Sequence, residues 1–181
     1  MSSENFNQLI ESVQGNNGLY EARISASWLQ GRAAFGGLIA ALAVEAMRQT
    51  HKASKPLRAI QVLFSSPVVE GPVKIETQIL RQGRSVTTMR ADLSQQGQIC
   101  CSVMASFGAS RESTLAKSAL SIPETAPPET LESLPFIAGI IPDFLQNFEV
   151  RWAKGGYPFS NNQETTHGIW ARFKEPGTAS I

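Results

Sequence analysis

The sequence is poor in features that mark several functional classes. Charge of one sign is nearly absent: 16 Lys and Arg stand against 15 Asp and Glu, a formal charge of +1, with no basic block. Affinity for nucleic acid draws on clustered cations that neutralise phosphates, so nucleic acid is not an expected partner. Long apolar runs are lacking too. The longest, Leu38 to Val44, falls far below the roughly 18–20 residues that span a bilayer. The opening MSSENFNQLIESV has no basic stretch leading into an apolar one, so neither a membrane span nor a signal peptide is expected. Cysteine is confined to Cys100 and Cys101. As neighbours in a strand their side chains point to opposite faces, where a mutual disulfide would be strained. They read as reduced packing residues of a cytoplasmic protein. The two histidines, His51 at an exposed helix end and His167 in a polar loop, are too far apart in sequence for a metal site or an Asp/His dyad, and no metal is expected.

What is present suits a packed core, with 42% hydrophobic and 17% charged residues. Leu19 to Trp28 alternates loosely and suggests a first strand. A loop then runs through Phe35 into Gly36-Gly37, and LIAALAVEAMRQ, from Leu38 to about Gln49, predicts a helix. Its first two turns carry no polar side chain before Glu45, so it is expected to be enclosed on all sides. Leu57 to Phe64 is rich in strand formers, and Val73, Ile75, Thr77 and Ile79 alternate with polar residues, the pattern of a sheet with one wet face. Gly83-Arg84 supplies a turn. Val86 to Leu93 and Ile99 to Phe107 flank Gln95-Gln96-Gly97-Gln98 as a hairpin. One strand, one buried helix and four strands in an antiparallel meander predict an α+β hot-dog fold, a curved sheet wrapped around a single long helix.

From Ala109 the character changes. Pro123, Pro127, Pro128, Pro135 and Pro142 fall among Ser, Thr and Glu, so residues 109–146 read as a Pro-rich linker lying on a domain surface. Phe148-Glu149-Val150-Arg151-Trp152 then repeats the aromatic-Glu-apolar-Arg-apolar pattern of Tyr20-Glu21-Ala22-Arg23-Ile24. The expected organisation is a complete hot dog over residues 1–108, the linker, and the opening strands of a second, incomplete hot dog over 147–181, with Gly168 to Lys174 as another of its strands.

Trp28, Phe35-Gly36-Gly37 opening an alanine-rich helix, Phe64-Ser65-Ser66-Pro67-Val68, Arg81-Gln82-Gly83-Arg84-Ser85 and Met104-Ala105-Ser106-Phe107 occur in that order. Together they resemble the acyl-CoA thioesterase II-like family of tandem hot-dog proteins. The resemblance implies hydrolysis of an acyl-CoA thioester to free acid and CoA, without a cofactor. The alternative is a non-catalytic acyl- or CoA-binding module, or a structural half that works with a further C-terminal portion. A dehydratase of the same fold is disfavoured by the histidine positions. Because a lone hot-dog sheet leaves an unpaired edge, a homodimer or larger assembly is expected.

Physical reasoning places a thioester at the glycine pair. A helix N-terminus offers free amides and the positive end of the dipole, so Gly36 and Gly37 would polarise the carbonyl and hold an oxyanion. The other reading, a tight turn into the helix, stays open. In single-domain relatives a histidine precedes the glycines and a carboxylate lies two turns on; here those positions hold Phe35 and Val44, with Glu45 one residue later. Glu45 is the local candidate for general base, against a boundary role paired with Arg48 or Lys52. Phe35, Gly36, Gly37 and Arg84 are the substrate-binding candidates, Arg84 through a CoA phosphate. Ser65 and Ser66 lack a partner His and Asp. In the tandem family an Asp, a Ser or Thr and a Gln of the second hot dog carry the function; matching positions would lie beyond Ile181.

Overall fold

Asn5 opens the first helix through a capping box: its side chain accepts from the Gln8 amide, and the Gln8 side chain accepts from the Asn5 amide. This computed structural model describes residues 4–51, 55–115, 121, 123–157 and 160–175. Helix α1 (Phe6–Glu11) buries Leu9, and a short strand β1 (Gln14–Asn16) turns through Asn17 and Gly18 into β2 (Leu19–Ile24). Both turn residues have positive φ, which asparagine and glycine tolerate best. Strand β2 hides Tyr20, Ala22 and Ile24 and exposes the residues between.

The first strand stops at Ile24 instead of running to Trp28. Residues Ala26–Trp28 form a 3-10 turn that drives the Trp28 indole into the core, where its Nε1 donates to the Glu4 carbonyl at 3.0 Å. Two short strands, β3 (Leu29–Gln30) and β4 (Ala33–Ala34), then fold back on each other and deliver the chain to helix α2 (Gly36–His51).

Strands β5 (Leu57–Phe64), β6 (Gly71–Gln82), β7 (Val86–Gln95) and β8 (Gln98–Gly108) complete a six-stranded antiparallel sheet of order β1-β2-β6-β7-β8-β5. This corrects the four-strand meander. Strand β6 already has β2 and β7 as neighbours, so β5 pairs with the free side of β8 and becomes an edge. The β7–β8 hairpin turns where expected, with Gln96 and Gly97 both at positive φ.

Helix α2 lies across this sheet with Leu38, Ile39, Leu42, Ala43, Ala46 and Met47 buried in one core with Val73, Ile75, Met89, Ala91, Leu93, Val103 and Phe107. It is not enclosed on all sides. Ala40, Ala41 and Val44 are only partly covered, and the helix packs chiefly on β6, β7, β8, α1 and β1. At its far end Thr50 Oγ1 lies 3.0 Å from the Tyr20 hydroxyl, which accepts from it, and 2.6 Å from Thr77 Oγ1, so these three hydroxyls satisfy one another.

Strands β9 (Phe148–Lys154) and β10 (Gly168–Phe173) pair with each other in a separate two-stranded sheet. Part of the proline-rich segment runs beside β9: Ser133 bridges to Arg151, and the Leu134 amide donates to the Val150 carbonyl at 2.8 Å. Glu149 accepts from both Arg151 and Arg172, and Arg151 donates onward to the Pro128 and Leu131 carbonyls. This small unit is seated on the first by aromatic rings. Phe173 lies 4.7 Å from both Phe6 and Phe148, and Phe148 meets Trp28 edge-on at 5.9 Å. No helix among the described residues is long and apolar enough to cross a membrane.

Candidate functional site

The start of α2 is held from both sides. The Ala34 amide donates to the Val68 carbonyl at 2.7 Å, the Phe35 amide to the Trp28 carbonyl at 2.8 Å, and the Phe35 carbonyl accepts from Leu38 and Ile39. These bonds fix the direction in which the helix begins. The first amides of a helix have no acceptor within it and point along the positive end of the dipole.

A groove of about 390 Å³ opens at this end. Gly36 lines it with Ile39, Ala34, Val68, Pro67 and Phe64, while Gln30, Ser65 and Ser66 give it polar groups. Ile39 and Val68 are buried, so the floor is apolar, and a helix N-terminus stands at one wall. Such a groove suits an apolar chain carrying a polarisable carbonyl at one end.

Both glycines lie close against a neighbouring ring. A Cβ on Gly36 would stand 2.9 Å from Phe64 Cζ, and one on Gly37 would stand 2.5 Å from Phe35 Cε1. Of the two, only Gly36 lines the groove; Gly37 is exposed on the first turn. Phe35 faces away from the groove. Its ring stacks flat on Phe144, at 4.2 Å and 4°, and meets Phe148 edge-on.

Glu45 and Arg84 lie elsewhere. Glu45 accepts from Gln49 Nε2 at 3.0 Å, and the same nitrogen donates to the Val13 carbonyl, which puts the carboxylate on the α1–β1 side of the helix. It makes no ion pair with Arg48, and Lys52 lies outside the described residues. Arg84 is exposed in the β6–β7 turn, beside Gly83, whose carbonyl accepts from Lys55 just past the end of α2. The length of α2, about 22 Å at 1.5 Å per residue, therefore separates Arg84 from Gly36.

The other polar candidates are accounted for. Ser65 Oγ donates to the Ile99 carbonyl at 3.1 Å, and the Ser65 and Ser66 amides share the Cys100 carbonyl. Cys100 and Cys101 are buried and free, and burial pushes the Cys101 thiol up to about 11. His51 is not at a freely exposed helix end. Its ring packs 6.4 Å from Phe107, its Nε2 is buried without a partner, and burial followed by the Lys55 charge lowers its pKa. His167 stacks on Trp152 at 5.6 Å. Among the described residues no cluster of His, Cys, Asp and Glu is placed to hold a metal. A larger open groove, about 670 Å³, lies over β1, β2 and β6, and its Glu21, Arg23, Lys74 and Glu76 mix both signs of charge.

The groove residues that sequence reasoning left without a role are Phe64, Ile39 and Val68. Phe64 and Val68 stand in the family-like segment, but only the crossing of β5 to the sheet edge brings them to the start of α2.

Residues 24–108 match the family model of the acyl-CoA thioesterase N-terminal domain. This hot-dog unit is similar to the acyl-CoA thioesterase N-terminal domain. The matched span begins at the end of β2 and closes at the last residue of β8, so it holds the groove, α2 and the four following strands. A hot-dog protein of unknown function from Alicyclobacillus acidocaldarius superposes with a TM-score of 0.83 at 23% identity, covering 96% of this chain and 64% of its own. An acyl-CoA thioesterase II from Mycobacterium marinum superposes at 0.73 with 17% identity, covering 97% and 62%. A tesB protein from Mycobacterium avium subs paratuberculosis gives 0.74 at 20%, covering 97% and 62%. At these identities the likeness establishes the fold. The chain spans less than two-thirds of the length of these solved proteins. No curated protein sequence matches it significantly.

Proposed function

We propose that this hot-dog unit binds an acyl-CoA thioester in the groove at the start of α2 and serves its hydrolysis to free acid and CoA. The observation that carries this reading is the juxtaposition of an apolar floor with a helix N-terminus at Gly36 in one groove. The acyl chain lies over Ile39 and Val68, and the thioester oxygen faces the first amides of α2. A donor placed on a developing oxyanion typically contributes about 3–4 kcal/mol to the transition state.

A second reading rests on a specific observation. The described residues lining the groove include no carboxylate, histidine or cysteine, so water attacking the thioester meets no general base there. Binding without turnover is what such a groove supports by itself, and a base supplied from outside it completes the reaction. Glu45 is the nearest carboxylate on α2, about 13 Å further along the helix by its rise. In this reading β9 and β10 open a second hot dog.

CoA release from a panel of acyl-CoAs, followed by chromatography beside calorimetric binding of the same panel, tests both readings. We expect binding in the wild type and in Glu45→Gln. Loss of release with binding retained in that variant assigns Glu45 as the base, and release untouched by it removes Glu45 from the chemistry. No binding by any acyl-CoA overturns the proposal.

A further inference from the structure

Phe144 stands in the proline-rich segment, more than a hundred residues beyond the groove in sequence, yet its ring lies flat on Phe35, the residue from which α2 starts. The two rings are 4.2 Å apart and within 4° of parallel, and Phe148 meets both edge-on at 6.1 Å. Phe35 is in turn fastened to the helix. Its carbonyl accepts from the Leu38 and Ile39 amides at 3.0 and 3.3 Å, and its ring lies against the first turn, where a Cβ on Gly37 would stand 2.5 Å from Cε1. The ring of Phe35 and the opening of α2 therefore move as one piece.

The turn that carries Phe144 is itself tied down. Residues Asp143–Asn147 form a 3-10 turn in which Asn147 Nδ2 donates to the Ser27 carbonyl at 2.9 Å and Gln146 Nε2 to the same carbonyl at 3.4 Å. Ser27 precedes Trp28, whose carbonyl accepts the Phe35 amide. The turn thus holds the loop of residues 27–35 at both ends, by hydrogen bonds at Ser27 and by a ring at Phe35. That loop supplies Gln30, Ala33 and Ala34 to the groove, and Gly36 follows it. Phe144 does not line the groove, so it reaches a ligand there only through Phe35.

We propose that Phe144 is a positioning residue for this groove: its ring holds Phe35, and with it the amides that open α2, in the direction that meets a ligand's carbonyl. This rests on the acyl-CoA reading given above. A donor at a helix start is effective only when aimed at the oxygen it serves, and a terminal turn frays where nothing holds it. Both rings are half-buried, so their contact fixes an orientation without forming part of the main core. A flat aromatic pair favours the held arrangement by about two- to tenfold over the released one.

The test compares two CoA derivatives of equal chain length by calorimetry: a ketone analogue with a methylene between sulfur and carbonyl, and the S-alkyl thioether without the carbonyl. The wild type is expected to bind the ketone more tightly, and the ratio of the two affinities reads the carbonyl's contact alone. In Phe144→Ala that ratio falls by about two- to tenfold while the thioether binds as before, and Phe144→Tyr, which keeps the flat ring, restores it. A merely structural role would weaken both ligands together and leave the ratio unchanged. Phe144→Leu fills the space without a flat ring and guards against an unfolded alanine variant; its ratio is expected to fall between the two. The ligand-free protein gives a second readout, because the Gly37 protons lie against the Phe35 ring and their shifts report its placement. Those shifts move in Phe144→Ala and Phe144→Leu and return in Phe144→Tyr. A wild-type ratio with wild-type Gly37 shifts in both Phe144→Ala and Phe144→Leu overturns the assignment of Phe144. Failure of the wild type to bind either derivative overturns the acyl-CoA reading, a distinct result, and the Gly37 shifts then still decide whether Phe144 holds Phe35.

Discussion

Trp28 shows how one side chain serves two units. It is fully buried, hydrogen-bonded to the Glu4 carbonyl, and ringed by Phe6, Phe148 and Phe173. Trp28→Ala should cost about 3–5 kcal/mol, read as a lower denaturation midpoint. Cys101 offers a check on burial at the same scale. Its raised pKa means the folded state favours the neutral thiol; that contribution is full below the ordinary value of 9.0 and is lost as pH rises toward about 11. Alkylation of Cys101 at pH 8 should proceed only as fast as the protein opens, and stability should decline on the alkaline side of pH 9.

Among the elements, the β9–β10 hairpin is held by two kinds of force at different places. Its apolar end, Phe148 and Phe173, packs on α1 and Trp28, and Phe148→Ala should remove about 1.5–3 kcal/mol of that attachment. Its polar side depends on Glu149, whose carboxyl is held below its usual value by hydrogen bonds from Arg151 and Arg172. A depressed carboxylate stabilises above its ordinary value of 4.5 and loses that contribution as pH falls through the folded value. Amide exchange in residues 128–134, which Arg151 and β9 hold by backbone bonds, should therefore quicken in acid before the six-stranded sheet opens. Glu149→Gln should show the same loosening at neutral pH.

For the whole molecule, β5 is a bare edge that presents Ile60, Leu63 and Phe64 to solvent, 43%, 64% and 52% exposed. A long apolar edge of this kind templates pairing with another strand. Self-association is the expected outcome, measured by light scattering behind size exclusion, and Ile60→Lys should shift the protein toward monomer while leaving its circular dichroism unchanged.

Much of this was legible in the residues, for identifiable reasons. The period-two alternation of Val73, Ile75 and Thr77 and the Gln96-Gly97 turn announce their own strands and hairpin, because strand pleat and positive φ are local properties. The alanine-rich run after Gly36-Gly37 announces α2 in the same way. Helix α1 was not legible, since its six residues carry too little periodicity to identify. Strand order was not local: that β5 would cross to β8 depends on which edge β2 has already taken.

By itself, then, the sequence determined an α+β hot-dog unit, its helix, its hairpins and its likeness to a thioesterase domain. Tertiary structure alone decided which candidate residues meet. It placed Gly36 in the groove, turned Phe35 into an aromatic stack with Phe144, set Glu45 beside Gln49 and left Arg84 at the other end of α2. The reason is physical. Local pattern dictates the period of an element, but the packing of one element on another dictates which of its faces looks into a site.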